Sequence, residues 1–216
     1  MAASKKSGVS IDQLVEDLCG PSRRKRQDAA HELALIAAED AEQVRGCVDE
    51  LIDALYRPEA QTRWESLSAL SELALLDAER VREAYDGAEA SLFDEGSAMV
   101  RLAAFKFLCR FGSTSPERAD VCWPVIDEAI QCYHGDAEYH DMLLALLDFV
   151  RGDISDDARA SLVARVSFDA RNGSGYVKAF SAQIVDASGL ELAEVTSSGS
   201  SDEPPMDDED DEEADE

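Results

Sequence analysis

An all-helical array of about five two-helix repeats is the fold this sequence predicts, and two observations predict it. Val100–Gly112, VRLAAFKFLCRFG, reads as one buried helix, and its pattern recurs at a fixed spacing. RWESLSALSELA (Arg63–Ala74) lies 38 residues earlier, RQDAAHELALIA (Arg26–Ala37) a further 37, and YHDMLLALLDFV (Tyr139–Val150) 38 residues later. Ala29, Ser66, Ala104 and Met142 share one column, Leu33, Leu70, Leu108 and Leu146 the next, and Ile36, Leu73, Phe111 and Phe149 a third. A period in this range marks a helical solenoid, whose units bury a continuous core only by stacking. The second observation is compositional: 45% hydrophobic residues with only 6% aromatic, rich in Ala and Leu, suit packed helices.

The elements follow in order. Ser10 is a helix N-cap with Gln13 three residues on, a capping-box spacing, and Ile11, Leu14, Val15 and Leu18 form an apolar stripe that Gly20-Pro21 ends. Its partner helix runs from about Ser22 to Ala38. The second pair is Glu42–Tyr56 and Glu59–Leu76, joined at Arg57-Pro58, with Val44, Val48, Leu51 and Leu55 inward. The third is Glu79–Phe93 and Ser97–Phe111, with Val81, Tyr85, Ala88 and Leu92 in the same inward positions. The fourth is Pro116–Tyr133 and Ala137–Arg151; Pro116 suits a first helical position, whereas Pro124 is expected to kink or break the helix because it lacks a donor. The fifth, Asp156–Phe168 and Gly175–Ala187, is joined by Asn172-Gly173-Ser174-Gly175 and carries a looser copy of the pattern, as a capping unit should. Domain boundaries are expected at 1–8 (a small, polar, disordered N-terminus), 9–190 (the repeat domain) and 191–216 (a disordered acidic tail), since the last stretch has too little apolar area to offset ordering.

Charge narrows the function classes. Asp and Glu number 47 against 20 Lys and Arg, a net charge of −27. From Glu191 onward there are 13 acidic residues and no basic one, leaving 34 acidic and 20 basic before it, net −14. That balance disfavours a nucleic-acid backbone or an anionic membrane surface as the main ligand. Five cysteines (Cys19, Cys47, Cys109, Cys122, Cys132), never in C-x-x-C spacing, read as reduced thiols. The N-terminus lacks an apolar signal region and no stretch approaches 18 apolar residues, so a cytoplasmic location is expected. Arginine outnumbers lysine three to one and alanine is abundant, a composition suited to a high-GC source, and the strong acidity would suit a salt-tolerant host.

The VRLAAFKFL run at Val100–Leu108 and the recurring basic position Arg26, Arg63, Arg101 resemble the HEAT-repeat family of α-solenoids, related to armadillo repeats. The resemblance covers about residues 9–190 and implies a right-handed α-α superhelix whose second helices line the concave side. It also implies that Arg26, Arg63 and Arg101 form an inter-repeat ladder with acidic neighbours, broken at Tyr139 and restored by Lys178. The family includes scaffolds, transport receptors, regulatory subunits and a few enzymes.

Enzymatic readings are weak. The family's di-iron hydroxylases build their centres from several His-Glu pairs, whereas His31-Glu32 has Ser68-Ala69 and Lys106-Phe107 at the equivalent positions, and the chain has only three histidines. Glycosylase-like members need a cationic concave face, which a body of −14 does not supply even with Trp64 and Trp123 available to stack a base. No catalytic, cofactor-binding or metal-binding residue is assigned, and no cofactor is expected. A lyase-like or accessory role on a small molecule, and an acidic-tailed chaperone for a basic protein, remain alternatives.

The expected function is therefore a non-enzymatic protein-interaction adaptor or regulatory subunit, probed for by the helical period. Projected outward are Gln61, Glu65, Ser68 and Glu72 in the second unit; Met99, Ala103, Lys106 and Arg110 in the third; and Ala137, Asp141, Leu144 and Asp148 in the fourth. Gln27, Trp64, Leu102 and His140 form a flanking row. Trp64 beside Leu102, flanked by Lys106 and Arg110, is the candidate protein-binding anchor, since aromatics and Arg dominate interface hot spots. Arg23 and Arg24, in the run Arg23-Arg24-Lys25-Arg26, are a second candidate docking site for an acidic partner or the chain's own tail. The partner is an unidentified protein, basic in character, and the chain by itself a monomer.

Overall fold

The structure, a computed structural model, describes residues 9–190. Among these residues there are ten α-helices and no strand: α1 (Ile11–Cys19), α2 (Arg23–Glu39), α3 (Val48–Ala54), α4 (Ala60–Leu76), α5 (Tyr85–Leu92), α6 (Ala98–Gly112), α7 (Pro116–Cys132), α8 (Tyr139–Arg151), α9 (Asp156–Asn172) and α10 (Gly175–Ser188). The expected acidic tail at 191–216 and N-terminus at 1–8 lie outside the described residues.

The even-numbered helices form one continuous layer, α2 packing on α4, α4 on α6, α6 on α8 and α8 on α10. The odd-numbered helices cover its other side, with α7 lying against both α6 and α9. The repeating columns are the reason. Leu33, Leu70, Leu108 and Leu146 are each fully buried, as are Ala29, Ser66, Ala104 and Met142 beside them. In the third column Leu73, Phe111 and Phe149 are buried, while Ile36, in the first unit, is only partly so. An end unit has a neighbour on one side only, so its column loses part of its cover.

Local chemistry sets the helix starts. Ser10, Ser97, Ser115 and Ser155 each accept a hydrogen bond through Oγ from the backbone N–H three residues on, occupying a donor the helix leaves unpaired. At Ser10 only half of the capping box forms: Gln13 N donates to Ser10 Oγ at 3.2 Å, but the Gln13 side chain turns to Glu16. At the far end Gly189, with φ of 71°, terminates α10 in the left-handed region that glycine adopts without steric penalty.

Three expectations need correction. The first helix of the second unit does not run unbroken from Glu42 to Tyr56; a 3₁₀ segment, Ala41–Cys47, precedes the short α3. Gly46 sits in that segment and weakens any α-helix through it. In the third unit a 3₁₀ turn, Arg82–Ala84, precedes α5, so Glu79–Phe93 is not one helix either. Pro124, by contrast, does not break α7, which continues from Pro116 to Cys132. Cys122 and Ile126 are buried on either side of it, and Trp123 stacks on Phe149 with ring centroids 6.3 Å apart. Packing on both flanks of the proline outweighs the loss of one backbone hydrogen bond.

Leu108→Ala tests the column directly. Removing a fully buried leucine from the central unit should lower unfolding free energy by roughly 2–5 kcal/mol in urea denaturation, with an unchanged denaturant slope.

Candidate protein-binding groove

The three repeated arginines sit at the starts of α2, α4 and α6 and point along the array. Each reaches a carboxylate in the segment that leads into the next even-numbered helix. Arg26 is ion-paired with Glu59, the N-cap of α4. Arg63 Nη1 donates to Asp94 Oδ2 at 2.7 Å, ahead of α6. Arg101 Nε donates to Glu138 Oε1, the N-cap of α8, at 3.2 Å. Two of them also bond back to their own unit: Arg26 Nη1 to Gly20 O at 2.8 Å and Arg101 Nη1 to Asp94 O at 3.0 Å. A second helix is thereby tied to its own loop and to the next one. In the fourth unit Tyr139 occupies this place, buried against the ring of His134. In the fifth, Lys178 Nζ donates to Arg171 O at 2.8 Å, the same backward bond seven residues upstream that Arg101 makes.

Arg26 and Glu59 are the most buried pair, 9% and 6% exposed. The hydrogen bond from Arg26 holds the Glu59 carboxyl below its ordinary range, against desolvation, which acts the other way. Arg26→Met would leave Glu59 buried without its counter-ion and should destabilise the chain by roughly 3 kcal/mol. The double change with Glu59→Gln should lose clearly less, as a double-mutant cycle in urea will show. The sign with pH follows. A depressed carboxyl contributes stability above the ordinary glutamate pKa of about 4.3, and that part is lost as pH falls through the lower folded value. Glu59→Gln should lack that portion of the acid sensitivity.

The even-numbered layer leaves one face open between α4, α6 and α8, where a groove of about 370 Å³ lies. Ser68, Ser71 and Glu72 of α4 form one side; Ala103, Lys106, Cys109 and Arg110 of α6 the floor; Asp141, Leu144, Ala145 and Asp148 of α8 the other. Eight of these eleven lie on the rows projected from helical period; Ser71, Cys109 and Ala145 do not. Those three lie deeper, one step round the helix, where a groove floor meets the core: Cys109 is fully buried and the Ser71 hydroxyl bonds back to Leu67 O at 2.8 Å. Burial pushes the Cys109 thiol well above its usual range, so it contributes an inert wall.

The candidate anchor divides. Lys106 and Arg110 line the groove; Trp64 and Leu102 do not. Trp64 is half-buried one turn before Ser68, whose hydroxyl bonds its carbonyl at 2.8 Å. Leu102 holds the equivalent place on α6 and packs partly against the core. Arg23 and Arg24 are exposed at the start of α2, far along the array from the groove; Arg24 lies 3.7 Å from Asp28, and Lys25 pairs with Asp17 at 2.9 Å. The dense basic run therefore splits, three residues outward and Arg26 inward.

Sequence spacing alone could not supply the charge pairing across the groove. Lys106 Nζ stands 3.4 Å from Asp141 Oδ2, and Arg110 is ion-paired with Glu72. Asp141 also lies 3.0 Å from His140 Nδ1, and His140 and Lys106 together hold its carboxyl below the ordinary range. His31 Nδ1 of α2 lies 2.9 Å from Glu65 Oε1 of α4. Among the described residues no group of three or more His, Cys, Asp or Glu could hold a metal ion, and no helix is long and apolar enough to cross a membrane.

No family model matches the sequence, and no curated protein matches it. Solved structures do. A designed armadillo repeat protein, YIII(Dq)4CqI, is similar at a TM-score of 0.68 and 16% identity, covering 82% of each chain. A related design, YIII(Dq.V1)4CPAF, solved in complex with peptide (KR)4, is similar at 0.66 and 16% identity, over 82% of this chain and 81% of that one. A computationally designed armadillo repeat protein for modular peptide recognition gives 0.66 at 15% identity, over 82% and 81%. At such identities the likeness is one of fold, and the fold of residues 9–190 is an α-solenoid of armadillo and HEAT type.

Proposed function

We propose that this chain is a non-enzymatic protein-interaction adaptor that binds a basic, extended segment of a partner protein in the groove over α4, α6 and α8. The observation that carries the reading is the groove itself. It is the open face of a layer otherwise buried on both flanks. Three carboxylates, Glu72, Asp141 and Asp148, outnumber the two cations Lys106 and Arg110 along it, with Ala103 in the floor and Leu144 and Ala145 on the α8 side as its apolar surface. The charge of the whole chain, −27, favours approach of a cationic guest from a distance. The similar fold that was solved with peptide (KR)4 supports an extended basic guest as the class.

In this proposal Trp64 and Leu102 flank the groove one turn toward the helix starts, where a longer guest would run on from its centre. Arg23 and Arg24, at the first unit, are proposed as a separate contact for acidic groups of the partner. The adaptor itself is monomeric, and the chemistry it needs is recognition alone.

Fluorescence anisotropy with labelled (KR)4 is the direct test. Saturable binding should weaken as salt rises, since solvent-exposed attraction is screened beyond about 8–10 Å at 0.1–0.15 M ionic strength. Asp148→Asn should weaken it about threefold to tenfold, because it removes a groove carboxylate that no other even-numbered helix neutralises. An equal response from a neutral peptide of the same length would contradict the basic-guest reading.

A further inference from the structure

The two cations of the groove are already engaged, and they are engaged in opposite directions. Lys106 and Arg110 sit one turn apart on α6. Lys106 reaches forward to Asp141 on α8, and Arg110 reaches back to Glu72 on α4. The third carboxylate, Asp148, is paired among the described residues with Arg151 of its own helix, 3.9 Å away and not part of the groove lining. Side-chain exposures are 45% for both Lys106 and Asp141, and 35% and 32% for Arg110 and Glu72. Lys106–Asp141, so open to water, is weak and exchangeable; Arg110–Glu72 is the more sheltered of the two, since Arg110 Nη1 is itself shielded from solvent although both side chains stay about a third exposed. This sets them apart from Arg26–Glu59, which is buried and fixed.

We infer that Lys106 and Arg110 are built-in competitors of the guest: they occupy the groove's carboxylates in the empty state and must be displaced from Asp141 and Glu72 when a basic segment binds. The inference rests on the basic-guest reading of the groove. Its physical content is an exchange. A guest ammonium or guanidinium that meets Asp141 replaces the Lys106 ammonium, which swings into solvent on its flexible stem; at Glu72 it replaces Arg110. Each exchange trades one ion pair for another and adds a like charge nearby, so it contributes little by itself. The net attraction comes from Asp148 and from apolar contact with Leu144 and Ala103. A tethered cation also outcompetes a single free one by its high local concentration, whereas a guest with several linked cations matches that advantage. The two residues therefore set a threshold that favours multiply charged guests over single ones.

The alternative role for the same side chains is direct contact with an acidic guest. Charge opposes it. Glu72, Asp141 and Asp148 against Lys106 and Arg110 leave the groove lining at −1, within a chain of −27, so an anion would approach against the field. The Asp141 carboxyl, held low by His140 and Lys106, also keeps its charge over the ordinary pH range, available to any cation that enters.

The test compares the full chain with Lys106→Gln/Arg110→Gln, and with Lys106→Gln alone in case the double variant loses helix content by circular dichroism. Labelled (KR)4 and labelled octaglutamate are the probes, titrated at about 50 mM salt and again at high salt. The double variant should bind (KR)4 about tenfold more tightly than the unmodified chain, and Lys106→Gln alone by a smaller factor. The gain should shrink at high salt, and octaglutamate should bind neither. Equal or weaker (KR)4 binding by the variants, with Asp148→Asn still weakening it, would overturn the competitor role and leave the groove reading standing. Octaglutamate binding that the double variant loses would overturn it in favour of anion contact. No saturable (KR)4 binding by any form would remove the basic-guest reading itself, and the inference with it.

Discussion

Every second helix in the middle of this array is packed on both flanks, and that constraint organises the molecule. α6 lies between α4 and α8, and α4 between α2 and α6. A helix so placed must be apolar over most of its circumference. Hence Val100, Ala104, Phe105, Phe107, Leu108, Cys109 and Phe111 are all buried on α6 alone. Little of such a helix is left for solvent, and what remains is a narrow row at helical spacing. The same burial that holds the repeats together thus confines any surface activity of the even layer to that row. The arginine tethers act at the helix starts: Arg26, Arg63 and Arg101 fix each one to the next loop, setting the register in which the open rows line up.

Two kinds of ion pair result, with different consequences. Near the helix starts, Arg26–Glu59 and Arg101–Glu138 are sheltered and reinforced by bonds to loop carbonyls. Desolvated charges with fixed partners resist separation, because either one alone is strongly disfavoured. On the open face, Lys106–Asp141 is nearly half exposed and Arg110–Glu72 about a third, and both lack such backing. They pair two of the groove's three carboxylates and leave Asp148 to its own helix.

How much of this was legible in the sequence follows from the physics of each feature. The Leu33–Leu70–Leu108–Leu146 column was readable because a buried position tolerates few side chains and the repeat shows it four times. The outward row was readable for the same reason in reverse; Ser68, Glu72, Ala103, Lys106, Arg110, Asp141, Leu144 and Asp148 all reach the groove. The 3₁₀ starts at Ala41–Cys47 and Arg82–Ala84 were not readable, because inward Val44 and Val81 satisfy either helix type while the backbone is decided by local bonding such as Asp40 to Glu42 N. At Pro124 the expected break is absent, because the flanking burial of Cys122 and Ile126 offsets a local donor loss. The separation of Trp64 and Leu102 from the groove, and the opposite reach of Lys106 and Arg110, depend on side-chain direction between helices. No one-dimensional period carries that information.

The most direct measurement of the central claim is where a bound basic segment lies. A (KR)4 peptide carrying a photoreactive group, crosslinked to the full chain at low salt and mapped by mass spectrometry, answers it. Crosslinks confined to α4, α6 and α8, around Ser68, Ala103 and Leu144, are the result the account predicts. Crosslinks on the odd-numbered layer, around Tyr85, Val121 or Phe168, would contradict it, because binding would then occur on the face away from the open row.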